Sequence, residues 1–207
     1  SSGNDLYSQS KTAFFFFFLG LVNVMFNWAH HVYPVPNANW IRFVAYAISM
    51  TEWIILLRII YLWRKDLSKE KKKHFSVSYS LMMLSDLWIF INLFLAILIS
   101  IPALNLFTHG THITVAHSMG TIIGINTTIL LSFICFILEK IKPISEKIKN
   151  RFLSGSNISF ILFFVTLLIM GVERTKWVYF SENVLFGKFQ ESNHYLHIAF
   201  GIFGFGL

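Results

Sequence analysis

The chain has 207 residues, of which 55% are hydrophobic and only 13% are charged, and its mean hydropathy is +0.61. A soluble domain of this size rarely carries so few charges, and windows of about 20 residues with almost none predict membrane-spanning helices. The net charge of +7 does not indicate a nucleic-acid-binding protein, because 11 of the 17 Lys and Arg residues lie in two short loops between apolar runs. The lipid bilayer and its anionic head groups are the expected partners.

Six apolar runs predict an all-α membrane protein, a transmembrane helical bundle of about six helices in one transmembrane domain. The predicted helices cover residues 13–31, 40–63, 75–100, 113–138, 158–180 and 194–207. Pro34 and Pro36 end the first helix, because two prolines cannot continue it. The later loops are expected at 101–112, 139–157 and 181–193. Cys135 is the only cysteine, so it forms no disulfide framework or thiolate site and is expected to be a packing residue.

Both ends of the sequence are informative. The N-terminus lacks the basic start and small-residue cleavage site of a signal peptide, and the chain does not begin with Met. The last apolar run has about 14 residues, too few to cross a bilayer. We therefore expect a fragment of a longer protein.

The charge pattern predicts a topology. The basic loops at 64–74 and 139–157 are expected on the cytoplasmic side. The first helix then runs outward and the fourth runs inward. His30 and His31 fall at the outer end of the first helix, and His117 falls one or two turns inside the outer end of the fourth. The two clusters are therefore predicted at the same face and at a similar depth, where both would face one buried redox centre.

Histidines in a membrane are functional candidates, because imidazole there is costly unless it binds something. Neutral imidazole is a good ligand for iron and copper. His30 and His31 are candidate ligands of one metal ion, with interfacial histidines that reach water as the alternative. His117 is a candidate axial haem ligand. His109 and His112, at the helix entrance, suit anions such as haem propionates, with solvated loop histidines as the alternative.

Small residues flank His117, namely Ala116, Ser118 and Gly120. They would let a flat macrocycle approach the helix, although small residues are equally typical of tightly packed transmembrane helices. Other polar residues inside the predicted helices are expected to make contacts between helices: Asp86, Asn92 and Asn126. A charged group near the outer end of the fifth helix is expected at the interface, where it would contact propionates or a partner subunit: Glu173, Arg174 and Lys176.

Glu52 lies about halfway along the second predicted helix. A lone carboxylate at that depth is expensive and indicates a proton path or support of a neighbouring site. The alternative is a neutral Glu that is hydrogen-bonded to another helix. Ser49 and Thr51 lie close by in the sequence.

Three segments resemble a known family. Residues 108–120, THGTHITVAHSMG, resemble the signature around the high-spin haem ligand in the large, catalytic subunit of bacterial nitric oxide reductase. That family belongs to the haem-copper oxidase superfamily, with cytochrome c oxidase subunit I. WAHHVY at 28–33 resembles its double-histidine motif, and AISMTE at 47–52 resembles a segment whose glutamate lies near the active site. The resemblance extends along nearly the whole chain and implies the second half of a twelve-helix bundle.

The resemblance implies a denitrifying respiratory oxidoreductase of the bacterial cytoplasmic membrane, in which a cytochrome c subunit or quinol donates electrons for reduction of NO to N2O. His117 would bind the iron of a high-spin haem b, and His30 and His31 would hold a non-haem iron or copper. Glu52 would support proton delivery. In the family, an earlier helix supplies the ligands that complete the metal site, so this chain alone is expected to be inactive.

Met119 departs from the family pattern, which usually has a second histidine there as ligand of a low-spin haem. Methionine can ligate haem iron, or it can simply pack. Without that ligand, electron entry is compromised, which leaves open a nitric oxide dismutase that turns NO into N2 and O2 without external electrons. An oxygen-reducing terminal oxidase is a third alternative, although the cbb3 type is disfavoured because no tyrosine lies between Lys11 and His31. The non-enzyme alternative is a membrane scaffold or transporter piece whose histidines are incidental. Such a protein would show no haem absorption.

Overall fold

The structure, a computed structural model, describes residues 10–26, 31, 33–67, 77–141, 145–182 and 184–207. No strand occurs within these ranges, and the regular elements there are helical. In chain order they are α1 (Lys11–Phe26), α2 (Asn39–Met50), α3 (Glu52–Leu67), α4 (Val77–Ser100), α5 (Pro102–Thr108), α6 (His112–Met119), the π-helix π1 (Gly120–Thr127), α7 (Thr128–Ile141), α8 (Glu146–Phe180), α9 (Phe186–Ser192) and α10 (His194–Phe205).

Four helical segments in the described ranges are long and apolar enough to cross a membrane. They are Asn39–Leu62, Val77–Ser100, His112–Ile141 and Arg151–Phe180. α1 and α10 are apolar but shorter, so the expected count of about six spanning helices is not matched. The all-α class and the membrane-spanning character are confirmed, because length and hydropathy together meet the requirement of the bilayer core.

The described residues form two compact units. The first unit comprises α1, α2 and α3 with the segment Ala96–Leu106, and α1 packs against both α2 and α3. The second unit comprises α4 up to Leu95 and the chain from Phe107 onward, with α6 and α10 packed along α8. The single transmembrane domain stays a prediction.

An aromatic cluster forms the core of the second unit. Its buried members are Trp88, Ala116, Phe160, Phe163, Phe164 and Leu167. The ring centroids of Trp88 and Phe160 lie 4.2 Å apart. Among membrane helices, such close van der Waals packing is a main source of association, because lipid tails already surround apolar side chains.

Parts of the predicted loops are helical. α5 occupies most of the predicted loop at 101–112, with Pro102 at the first helical position, where its missing N–H is no loss. α8 begins at Glu146, inside the predicted loop at 139–157. Asn157 Oδ1 accepts a hydrogen bond of 3.3 Å from Trp88 Nε1, and this contact supports helix where Ser, Gly and Asn indicate a loop. α9 lies within the predicted loop at 181–193.

Two of the predicted helices are interrupted. Thr51 separates α2 from α3, so residues 40–63 do not form one regular helix. π1 separates α6 from α7 within residues 113–138. In π1, Thr127 Oγ1 donates to the Ile122 carbonyl at 2.8 Å, and Thr128 makes the same five-residue bond to Ile123 at 3.0 Å. π-helical turns inside α-helices are frequent at functional sites.

Candidate functional site

His117 lies on α6, which begins after a tight turn. Gly110 has a φ of 70°, a left-handed conformation that residues with a side chain rarely adopt. Thr111 then caps the helix, since its Oγ1 accepts a hydrogen bond of 3.2 Å from Ile113 N. The turn and the cap determine where α6 starts, and therefore the position of the half-buried His117 imidazole along the helix.

The backbone of His117 is also linked to α4. Thr121 Oγ1 donates to the His117 carbonyl at 3.4 Å and accepts a 2.7 Å hydrogen bond from Asn92 Nδ2. Asn92 is buried, so its amide requires such a partner. The prediction that Asn92 makes a contact between helices is confirmed. Asn126 is exposed and Asp86 is half-buried.

The small residues near His117 have different surroundings. Ala116 has 0% exposure and lies in the aromatic cluster. A methyl group added at Gly120 would collide with the side chain of Asn92. These two residues therefore allow helices to approach each other, which is the packing alternative. Ser118 is exposed, so only this member of the set leaves open surface beside His117.

Met119 packs against the aromatic cluster. It follows His117 by two residues, which places the two side chains about 200° apart on an ideal helix. A thioether packs well among aromatic rings, so the observed contacts account for Met119 as a packing residue. Its role as a ligand of a second haem stays a prediction.

A cavity of about 370 Å³ opens beside the start of α6. Apolar residues form one part of its wall: Val115, Met170, Phe186, Phe189 and Leu196. Polar residues form the other part: Thr111, His112, Thr114, Glu173, Arg174, Gln190, Asn193 and His197. The lining includes His112 but not His109, which is half-buried. Apolar walls with a few convergent polar groups are the usual form of a ligand or cofactor site.

Arg174 supplies positive charge to this cavity. Its Cζ lies 4.4 Å from the ring centroid of Trp177 and 5.0 Å from that of Phe186, so the guanidinium contacts two aromatic rings. Arg174 Nη1 is buried and has no hydrogen-bond partner among the described residues, and the same holds for His112 Nδ1. A stacked cation and a buried imidazole nitrogen beside a cavity fit an anionic ligand such as a carboxylate.

The other polar residues of the wall are paired. Lys176 Nζ lies 2.7 Å from Glu173 Oε1. The three charged residues predicted at the outer end of the fifth helix therefore have different surroundings. Glu173 and Lys176 pair with each other, whereas Arg174 lines the cavity and has a buried nitrogen without a partner among the described residues. His197 Nε2 lies 2.7 Å from Gln190 Oε1. Sequence analysis missed this pair, although polar residues beside the last apolar run were the available signal.

Gly171 brings the backbones of α6 and α8 into contact. A methyl group added there would lie 2.6 Å from Ile113 N and 3.3 Å from the carbonyl carbon of His112. Ordinary van der Waals contacts are longer than this, so only a residue without a side chain allows the approach. Arg174 follows Gly171 by about one turn of α8, and the contact therefore sets the distance between two walls of the cavity.

The predicted metal ligands of the first helix are only partly described. His30 lies outside the described residues, and His31 is exposed. Within the ranges that the structure describes, no group of three or more His, Cys, Asp or Glu side chains could hold a metal ion. The assignment of His30 and His31 as metal ligands stays a prediction.

Glu52 is a buried polar residue of the first unit. Its side chain is 4% exposed, and it is the first residue of α3. Asn23 of α1 is also 4% exposed, and its Nδ2 donates to Thr51 Oγ1 at 2.8 Å. Sequence analysis did not select Asn23. A lone amide in an otherwise apolar helix was the signal that could have found it.

The sequence matches the family described as Cytochrome C and Quinol oxidase polypeptide I over residues 1–205. The chain belongs to this family. A comparison with curated proteins gave no match. Polypeptide I of the cytochrome c and quinol oxidases is a haem-copper oxidase subunit, a multi-pass membrane oxidoreductase that binds haem and metal. The resemblance to the haem-copper oxidase superfamily is thereby confirmed.

Proposed function

We propose that the chain is the second half of the catalytic subunit of a nitric oxide reductase, which reduces NO to N2O in the bacterial cytoplasmic membrane. The observation that carries the proposal is the motif at 108–120, because it resembles the reductase signature within a chain of the haem-copper oxidase family. The basic loops at 64–74 and 139–157 would face the cytoplasm. A cytochrome c subunit or a quinol would donate the electrons.

The chain offers groups that fit a haem. His117 would ligate the iron of haem b through its half-buried imidazole. Arg174 and His112 would hold the haem carboxylates, since both have a buried nitrogen beside the cavity without a partner among the described residues. His109, near the same entrance, would assist them. His30 and His31 would hold the non-haem iron or copper, together with ligands from another part of the protein.

The haem and the metal ion would supply the electrons and the positive charge that bind two NO molecules side by side. Two NO, two electrons and two protons give one N2O and one water. Glu52 would deliver protons, because a carboxyl with 4% exposure is shielded from bulk water and can pass a proton to a neighbouring site.

A nitric oxide dismutase is the second candidate, and one observation favours it. Met119 packs against the aromatic cluster, where the reductases usually carry a histidine ligand of the electron-transferring haem. An enzyme that converts two NO into N2 and O2 requires no external electrons. Loss of that ligand would then have no cost.

Isotopically labelled NO distinguishes the two candidates. The complete gene is expressed, and anaerobic membranes receive the labelled gas with and without a reduced electron donor while mass spectrometry follows the products. We expect labelled N2O only when the donor is present. Labelled N2 and O2 formed without a donor would replace the reductase with the dismutase.

Matched variants connect this activity to the site. His117→Ala should abolish gas conversion, because the haem loses its axial ligand. Ser118→Ala removes an exposed hydroxyl on the next residue and should leave conversion unchanged. Activity that survives in membranes with His117→Ala would contradict the assignment of this residue.

A further inference from the structure

Asn126 is an exposed amide inside a membrane span. It lies about halfway along the segment His112–Ile141, and no described residue hydrogen-bonds its side chain. Lipid acyl chains offer no hydrogen bond at this depth, so an amide in contact with them is unfavourable. The sequence predicts a contact between helices for Asn126, and the described helices do not provide one.

Exposed hydroxyl groups of the same segment do not have this difficulty. Ser118 Oγ donates to the Thr114 carbonyl at 3.1 Å, and Thr127 Oγ1 donates to the Ile122 carbonyl at 2.8 Å. A hydroxyl whose proton is bonded within its own helix can face lipid at little cost. The Asn126 amide carries two N–H donors and a carbonyl acceptor, and these need a partner from outside the helix.

Other asparagines inside the described helices bond between helices. Asn23 of α1 donates to the Thr51 hydroxyl at 2.8 Å. Asn92 of α4 donates to a hydroxyl of π1 at 2.7 Å, and Asn157 of α8 accepts from an indole of α4 at 3.3 Å. Side-chain amides therefore link neighbouring helices in this protein, which is their usual role inside membranes. By the same chemistry, Asn126 indicates a further helix beside π1.

Exposed apolar residues extend the surface around Asn126 along π1 and α7. They follow one another at intervals of three or four residues, which places them on one side of the helix. With Asn126 they form a surface that we call the Asn126 face: Ile122, Leu130, Phe133 and Ile137. An amide within an apolar stripe suits the association of membrane helices, because the apolar side chains pack and the amide supplies a hydrogen bond.

A haem on His117 would not satisfy this amide. The polar groups of a haem are its carboxylates, which are proposed to lie at Arg174 and His112, and the rest of its edge is hydrocarbon. The helix that carries His117 also borders the proposed metal centre, which is completed by ligands from another part of the same protein. That part is therefore the expected neighbour of the Asn126 face.

We propose that the Asn126 face packs against a transmembrane helix from the N-terminal half of the same protein, and that Asn126 hydrogen-bonds a polar side chain of that helix near the middle of the membrane. The partner side chain is of the type that bonds between membrane helices: Ser, Thr, Asn, Gln or His. The inference rests on the proposed function, in which this chain is the second half of a catalytic subunit. It goes beyond that function by assigning a contact surface between the two halves.

Photochemical cross-linking of the complete protein in its native membranes tests the proposal. A diazirine-bearing amino acid replaces Leu130, which is exposed on the Asn126 face. After illumination, mass spectrometry identifies what has become attached. We expect a link within one chain, to a peptide of the N-terminal half that carries one of the named polar side chains. A lipid adduct, a link to a second copy, or a link to α1, α2 or α3 overturns the proposal.

Val165 provides a control at matched depth. It is exposed and lies about halfway along the span Arg151–Phe180 of α8. The same photoreactive amino acid at Val165 should give lipid adducts. A link from Val165 to the same N-terminal peptide, in the same yield as from Leu130, would overturn the assignment of this contact to the Asn126 face.

Asn126→Leu tests the hydrogen bond itself. Leucine keeps the branched shape of asparagine without its polar atoms. Loss of a bond to a partner helix should lower the temperature at which the haem absorption is lost by roughly 2–4 °C. Ser118→Ala removes a hydroxyl that is bonded within its own helix and should behave like the parent protein. An unchanged or higher temperature in Asn126→Leu would mean that the amide faces lipid, and it overturns the proposal.

The cross-link separates this inference from the proposed function and from any failure of the variant to fold. It is obtained on protein with an intact Asn126, so it decides the matter if Asn126→Leu does not assemble. If the protein converts no NO but Leu130 reaches the N-terminal half, the reductase assignment fails and the contact stands. If NO is reduced and Leu130 reaches only lipid, the contact fails alone.

Discussion

The helix break in the first unit and π1 in the second unit both contain threonine hydroxyls bonded to backbone carbonyls, but at different spacings. Thr51 bonds a carbonyl three residues back, which ends one helix and starts another. The hydroxyls of Thr127 and Thr128 bond carbonyls five residues back, and there the helix continues from π1 into α7. The break is followed directly by an acid, Glu52, whereas π1 contains no charged residue. A buried acid thus follows the break directly, whereas the candidate ligand His117 precedes π1 on α6.

The largest expected effect concerns His117, the proposed haem ligand, which precedes π1 on α6. His117→Ala should remove one haem per protein, because this residue is proposed to ligate the haem iron. Haem content per protein, measured by absorption after purification, checks this, with the exposed neighbour Ser118→Ala as control. Unchanged haem content in His117→Ala would show that His117 is not a haem ligand.

A smaller effect is expected where π1 packs. A methyl group added at Gly124 would lie 2.8 Å from Trp88 Cγ and 2.8 Å from Phe160 Cε1. Gly124→Ala should therefore cost about 1–3 kcal/mol of stability through overpacking. Gly155→Ala, with nothing within 4 Å of the added methyl, should stabilise α8 by up to about 1 kcal/mol. Thermal unfolding in detergent measures both. Equal effects would show that π1 is not held by these neighbours.

The smallest expected effect is that of Tyr33→Phe, which changes stability only at high pH. It tests whether the first unit can hold a charged side chain at Tyr33. Burial, with a contribution from Tyr46, raises the pKa of Tyr33 to about 12 from its usual 10.0. The folded chain favours the neutral phenol, so its contribution to stability is complete below about pH 10 and is lost as the pH rises towards 12. Between these values, Tyr33→Phe should lose less stability than the parent protein.

Thermal unfolding from pH 7 to pH 12 checks this pH dependence. The exposed Tyr195→Phe serves as the control and should follow the parent protein. If the Tyr33→Phe and parent curves coincide above pH 10, Tyr33 does not differ from an exposed tyrosine.

The sequence predicted the class of the fold well, because hydropathy over about 20 residues reports the bilayer directly. It could not predict the break or π1. In an apolar helix, a threonine hydroxyl can bond carbonyls at several spacings, and the partner that decides lies on another helix. For Thr51 that partner is Asn23, 28 residues away in sequence. Helix at Asn157, within the predicted loop, was missed for a similar reason, since its side chain is bonded to Trp88, 69 residues away.

For the candidate site, motif order selected His117 and Glu52, and the structure adds the surroundings of each. Arg174 was grouped with Glu173 and Lys176 because all three lie within four residues. Their separation follows from direction around α8, where Lys176 reaches Glu173 and the Arg174 guanidinium contacts two aromatic rings. Composition and spacing do not contain that information.

The glycine contact between α6 and α8 has a consequence for adaptation in this protein. Because the backbone nitrogen of Ile113 lies 2.6 Å from where a side chain at Gly171 would begin, a rotamer change alone cannot make room for a larger residue there. A larger residue at Gly171 must therefore move the wall that carries Arg174 away from His112. The width of the cavity between His112 and Arg174 is therefore coupled to the spacing of α6 and α8.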